Sequence, residues 1–207
     1  MKLYGHPMST CTRKVLTTLS EKGHEAEFVL VDIMKGEAKA PAHLARQPFG
    51  VVPTIDDDGF VLYESRAIIR YLNDTLSGPN LVPSDAKARA LMEQSISVEY
   101  SYFTPKAMTI IMNVLFGKMM GKEPDMDAVN AAKQSLAGTA ATLDKWFADH
   151  QYFGGDVFSL ADIGYMPYVE YLFAAGEGGL ITEPKHLGAW WTRVSERPSW
   201  RKATGKG

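Results

Sequence analysis

Residues 51–72 read VVPTIDDDGFVLYESRAIIRYL, and three structural signals follow one another in that stretch. VVPTI and FVLY are short runs rich in β-branched and aromatic residues, the composition of strands. Between them, DDDG places Asp58 and Gly59 where a two-residue hairpin turn holds both backbones in the left-handed region, which Asp and Gly tolerate best. Beyond Tyr63, Glu64 and Ser65 precede RAIIRYL, whose apolar residues recur at helical spacing, so a helix is expected from about Ser65 to Leu76.

Upstream, KLYG reads as a strand and Thr10 to Lys22 as a helix with Val15, Leu16 and Leu19 inward and Gly23 at its end. EFVLVDI, Glu27 to Ile33, is continuously apolar and predicts a second strand near the sheet centre, buried on both faces. The order β-α-β, long loop, β-β-α is a thioredoxin-like α/β arrangement, assigned to an N-terminal domain of residues 1–76. SGPNLVPSD, residues 77–85, is a Gly- and Pro-containing linker. From residue 86 to 207 the strand signals vanish, predicting an all-α C-terminal domain. Its helices are expected near Ala86–Met120, Met126–His150, Ser159–Ala175 and His186–Glu196. SLAD, Ser159 to Asp162, is a capping box with Asp where Glu is commoner.

Charge narrows the partners. The 22 Lys and Arg against 24 Asp and Glu leave a formal charge of −2, with no basic field for nucleic acid or an anionic membrane. A single cysteine, Cys11, forbids an internal disulfide, and Met1–Pro7 lacks the apolar core of a secretory signal, so a cytoplasmic location is expected. The most apolar run, Ala107 to Gly117, is well short of the roughly 20 residues that span a bilayer.

Three short motifs could carry chemistry. Ser9, Thr10 and Cys11 stand at a helix start, where unpaired N–H groups and the positive end of the dipole favour an anion or a thiolate; an ordinary N-cap explains Ser9 or Thr10 equally. In PFGVVP, a cis bond at Pro53 would aim the Val52 N–H and C=O at an extended peptide, whereas a proline at a strand start also simply ends pairing. Glu64 and Ser65 suit the ammonium and carboxylate of an amino acid, or cap a plain helix. Tyr102, Phe103, Met108, Met112, Phe116, Tyr165 and Met166, at helical spacing, line either an adaptable apolar cleft or a core. The five histidines have no ligand spacing, and no metal site is expected.

The ordered set HPMSTCTRKV, QPFGVVP, YESRAIIRYL and FGGDVFSLAD resembles cytosolic glutathione S-transferases across nearly the whole chain, most closely the phi class. The resemblance implies a glutathione-binding N-terminal domain, a helical C-terminal domain holding a hydrophobic electrophile, and a homodimer with glutathione as co-substrate. It makes Ser9 the catalytic hydrogen-bond donor to the glutathione sulfur. Thr10, Lys39, Val52, Pro53, Glu64 and Ser65 become glutathione contacts, with Lys39 at the glycine carboxylate. Met8, Tyr102, Met108, Met112, Phe116 and Tyr165 become electrophile-site candidates, and Phe49 matches an aromatic that packs into the partner subunit. Phi enzymes usually carry a histidine where this chain has Ala38, which implies weaker glutathione binding. STCT is also similar to the start of zeta-class isomerases of the maleylacetoacetate type, with Cys11 at their cysteine. A non-catalytic glutathione- or ligand-binding module of the same fold is the third alternative.

Overall fold

The computed structural model describes residues 1–206, which divide into two compact units. The first comprises residues 1–81 and the segment from Arg197 onward; the second runs from Val82 to Glu196.

In the first unit, β1 (Lys2–Gly5) leads into α1 (Thr10–Glu21) and β2 (Glu27–Leu30), and a 3-10 turn at Glu37–Lys39 precedes the single-turn helix α2 (Pro41–Leu44). β3 (Thr54–Asp57), β4 (Phe60–Tyr63) and α3 (Ser65–Thr75) follow. The sheet order is β2-β1-β3-β4, with β1 parallel to β2 and antiparallel to β3. The hairpin forms as the sequence predicts: Asp58 and Gly59 have φ of 52° and 94°, and the Gly59 N–H donates to the Asp56 carboxylate at 2.8 Å. Leu3 and Ile55 pair across β1 and β3 and are fully buried with Val15, Ile68 and Leu72 of the covering helices.

β2 departs from expectation. It is an edge strand, ends at Leu30, and leaves Phe28 39% and Leu30 55% exposed. The central position goes to β1, because it alone pairs with β2 on one side and the β3–β4 hairpin on the other. The apolar run beyond Leu30 has a different use: Val31 turns inward and packs with Ala38 and Val52.

The C-terminal helix (Pro198–Thr204) also corrects the sequence reading, which placed everything after residue 86 in the helical domain. It belongs to the first unit and lies on α1, where Arg197 forks onto both Glu21 oxygens at 2.7 Å, Ser199 donates to the same carboxylate, and Trp200 is 1% exposed. A two-pronged charged pair with the carboxylate almost fully covered is stronger than a surface ion pair. Glu21→Ala is expected to cost about 2 kcal/mol, lowering Tm by roughly 4–8 °C; a thermal melt unchanged from the parent would show that this clasp does not hold the C-terminus.

The second unit is all helix: α4 (Ala86–Val98), α5 (Thr104–Ile110), α6 (Met126–Phe147), α7 (Leu160–Ala174), α8 (Gly179–Thr182) and α9 (Lys185–Ser195). π-helical stretches at Glu99–Phe103 and Ile111–Gly117 flank α5. The first adjoins Pro105, which has no N–H and whose ring crowds the carbonyl four residues earlier, so a locally widened helix accommodates it. α7 is buried nearly all round. The predicted capping box is present, with Asp162 fully buried and accepting four hydrogen bonds: Phe153 N–H (3.1 Å), Ser159 N–H (2.9 Å), Ser159 O–H (3.0 Å) and the Trp190 indole N–H (2.8 Å). Phe153, Tyr165 and Trp190 pack around it, the first two stacked at 4.0 Å.

Candidate active site

The register of the sheet in the first unit decides which loops share an end. Tyr4 pairs with Thr54, Thr54 with Tyr63, and Gly5 with Leu30. The C-terminal ends of β1, β2 and β4 and the start of β3 therefore lie at one end of the sheet. The segments carrying Ser9, Lys39, Val52 and Glu64 all emerge there, and so do the N-termini of α1 and α3, whose dipoles and free N–H groups favour anions.

Ser9 is the N-cap of α1, its Oγ accepting from the Thr12 N–H at 3.2 Å. The cap consumes a lone pair and leaves the hydroxyl proton, which has no acceptor among the described residues. Capping and hydrogen-bond donation, alternatives in the sequence, are thus compatible in one side chain. Among the described residues the Thr10 hydroxyl reaches only the Cys11 sulfur, at 4.0 Å. Cys11 is half-buried.

Val52 is buried, the bond to Pro53 is cis as expected, and neither the N–H nor the C=O of Val52 makes a hydrogen bond among the described residues. A buried residue with both backbone groups unpaired offers the pattern that an added extended strand would complete. Glu64 adopts φ 71°, ψ 107°, a conformation that costs a non-glycine residue free energy. It is the cap position of α3 in place of Ser65, which is instead the first helical residue. The Glu64 carboxylate is exposed, and the Ser65 hydroxyl, on a residue 3% exposed, has no partner among the described residues.

The Lys39 ammonium donates to the Phe49 carbonyl at 2.8 Å, keeping two N–H groups for another acceptor. Gly50, at φ 62°, makes room for it: a Cβ there would lie 2.6 Å from Lys39 Cδ and 2.9 Å from the Ala38 carbonyl. Gly50→Ala is therefore expected to displace the Lys39 side chain and, at a positive φ, to cost about 1–3 kcal/mol of stability, read as a lower Tm in a thermal melt. Ala38 is buried beneath Val52 with Val31, so an imidazole at 38 would start under Val52 rather than at the open surface. Tyr4 packs on the same cluster, with the Arg46 guanidinium 4.4 Å over its ring.

The electrophile candidates divide. Tyr165 is 1% exposed, donates its hydroxyl to the Ser95 carbonyl at 2.9 Å and stacks on Phe153. Helical spacing leaves cleft and core open, and the resemblance makes Tyr165 an electrophile-site candidate; its hydrogen bond and ring contacts make it core, as are Phe103 and Met166, both buried. Met112 and Tyr102 are 40% and 58% exposed, the latter beside Lys106, while Met8, Met108 and Phe116 are half-buried, Phe116 packing edge-on to Tyr171. Phe49 is 66% exposed with its ring edge-on to Tyr63. No group of His, Cys, Asp and Glu among the described residues could hold a metal ion. Sequence reasoning assigned no role to His43, Gln47 and Gly50, which knit the loop before Val52; Gln47 and Gly50 lie within the QPFGVVP motif, whereas His43 had no motif to mark it, and its partner is a backbone carbonyl set by the fold.

Comparisons with known proteins bear on the family and the fold. Residues 1–74 match the model of the glutathione S-transferase N-terminal domain and residues 103–198 that of the C-terminal domain. Glutathione S-transferase F9 of Arabidopsis thaliana is 35% identical over 100% of this chain and 97% of its own length. The crystal structure of glutathione transferase F7 from Populus trichocarpa superposes with a TM-score of 0.95 at 34% identity, covering 99% of this chain and 98% of the other. Glutathione S-transferase I from maize, solved with an atrazine glutathione conjugate, gives 0.91 at 32% identity, covering 99% and 96%. These similarities do not favour the zeta alternative, and they show that the chain belongs to the glutathione S-transferase family, as a transferase of the phi type.

Proposed function

We propose that the protein binds glutathione at the loop end of its sheet, stabilises the thiolate through the Ser9 hydroxyl, and conjugates it to hydrophobic electrophiles. The observation that carries this is the uncommitted Ser9 proton on a hydroxyl already fixed by its cap. A free thiol with pKa near 8.5 is mostly protonated at neutral pH. A hydroxyl donor and a helix N-terminus both favour its charged form, and each unit of lowering is worth about 1.4 kcal/mol between protonation states. The thiolate then attacks an electrophilic carbon: its electron pair forms the C–S bond while the leaving group departs with its own pair, or, in an addition, the neighbouring atom takes up a proton.

In this reading the cysteinyl backbone of glutathione pairs with Val52, beside Pro53. Glu64 faces the γ-glutamyl ammonium, Ser65 and the first N–H groups of α3 receive the adjacent carboxylate, Lys39 receives the glycine carboxylate, and Thr10 lines the sulfur. Met8, Tyr102, Met108, Met112 and Phe116 supply apolar contact for the electrophile, the counterpart of the atrazine conjugate held by the maize relative. The working form is a cytoplasmic homodimer with Phe49 at its interface. Steady-state conjugation of a chlorinated aromatic, with the ultraviolet thiolate band of bound glutathione followed across pH, tests the proposal. A parent protein that binds glutathione but shows no thiolate at neutral pH would sink it.

A further inference from the structure

The loop from Gln47 to Val52 is closed by a backbone turn, the Gly50 N–H donating to the Gln47 C=O at 2.9 Å, and is tied down further by three side chains. The Phe49 N–H donates to Gln47 Oε1 at 2.7 Å, the Phe49 C=O accepts from Lys39, and the Val51 C=O accepts from His43 Nε2 at 2.7 Å. The next donor along the chain, the Val52 N–H, has no partner among the described residues. Val51 C=O and Val52 N–H belong to the same peptide unit, and that unit is trans and planar. In a trans peptide the two groups point in opposite directions, so whatever fixes the carbonyl fixes the aim of the N–H.

We propose that His43 is a positioning residue for glutathione: by holding the Val51 carbonyl it orients the Val51–Val52 peptide so that the Val52 N–H faces the bound tripeptide backbone. A carbonyl only accepts, so Nε2 carries the proton and Nδ1 is left with a lone pair. That Nδ1 is buried and has no partner among the described residues, on a residue 4% exposed. An apolar ring of similar size would fill the space without an orphaned nitrogen. Packing therefore does not explain an imidazole here, whereas its one hydrogen bond does. Gln47 repeats the pattern, with Oε1 engaged by the backbone and Nε2 buried and unpaired.

The inference rests on the proposal that Val52 pairs with glutathione, and the test separates the two. His43→Ala, His43→Leu and His43→Gln are compared with the parent in steady-state kinetics, thermal melts and calorimetric titration with glutathione. The Ala and Leu variants are expected to raise the KM and Kd for glutathione about 3- to 10-fold. Their kcat at saturation and their KM for the electrophile stay near the parent's, and Gln, which also carries an N–H donor, recovers most of the loss. A lower Tm or kcat with an unchanged glutathione KM makes His43 merely structural and overturns the inference. A glutathione analogue lacking the cysteinyl carbonyl acceptor completes the cycle. It should bind the parent more weakly than glutathione does and lose little further affinity in His43→Ala; equal binding of the two ligands by the parent removes Val52 from the proposal, whatever His43 does.

Discussion

Replacing Ser9 by alanine should lower kcat/KM for conjugation at neutral pH by roughly 10- to 100-fold, the loss of a hydrogen bond to a charged group worth about 1.5–3 kcal/mol. The thiolate band of bound glutathione should move to higher pH by about one to two units, the same free energy expressed as a pKa. Two roles meet in this side chain, so controls matter. Alanine also removes the cap on the Thr12 N–H, which costs about 1 kcal/mol of stability, whereas glycine at an N-cap costs only a few tenths. Ser9→Gly should therefore show the full catalytic loss with a nearly parental melt, and Ser9→Thr, which keeps both hydroxyl and cap, should retain most of the thiolate. Cys11→Ala should leave the thiolate band in place. Collapse of the band in Cys11→Ala with survival in Ser9→Ala would falsify the assignment of Ser9.

The largest effect on stability is expected at Asp162. Its carboxylate accepts four hydrogen bonds in a fully buried site, and truncation to alanine strands the Trp190 indole N–H and the Phe153 and Ser159 N–H groups without an acceptor. Orphaned donors and an emptied buried site make a cost of about 4 kcal/mol or more reasonable, a fall in Tm of roughly 8–16 °C. The sign of its pH dependence is opposite to that of a surface carboxylate. Burial raises the Asp162 pKa from 3.8 to about 6, outweighing the four hydrogen bonds that pull it down. The folded state thus holds this proton more tightly than the unfolded chain. The stabilisation is complete below pH 4 and is lost as pH rises towards 6, a change of about 3 kcal/mol across that window. The deficit of Asp162→Ala relative to the parent should accordingly be larger at pH 4 than at pH 7. Chemical denaturation at the two pH values checks this, and a deficit that instead grew with pH would mean that the hydrogen bonds, not burial, dominate.

Much of the site was legible because it is written in local chemistry. The hairpin needs Asp58 and Gly59 in left-handed conformations, Ser9 needs only the α1 N-terminus behind it, and the Ser159–Asp162 box closes within four residues. Other features depend on partners remote in sequence. β2 looked central because continuous apolar runs usually mean burial on both faces, yet pairing put it at the edge and sent Val31 to a cluster with Ala38 and Val52. Tyr165 has the same helical spacing as Met112, and only the positions of Ser95 and Phe153 separate a core tyrosine from an exposed methionine. His43 carried no motif because its partner is a carbonyl, and every residue has one.

By itself, then, the sequence determined most of the elements, their order, and the main turns and caps between them, since each depends on backbone preferences and neighbours a few residues apart; the candidate glutathione contacts came from the family resemblance of its motifs. Tertiary structure alone decided three things: that the C-terminal helix returns to α1 through Glu21 and Arg197, 176 residues apart; that the loops bearing Ser9, Lys39, Val52 and Glu64 leave one end of the sheet; and that His43 faces the Val51 carbonyl. These depend on strand register and on which surfaces pack, energies that arise only when distant segments meet.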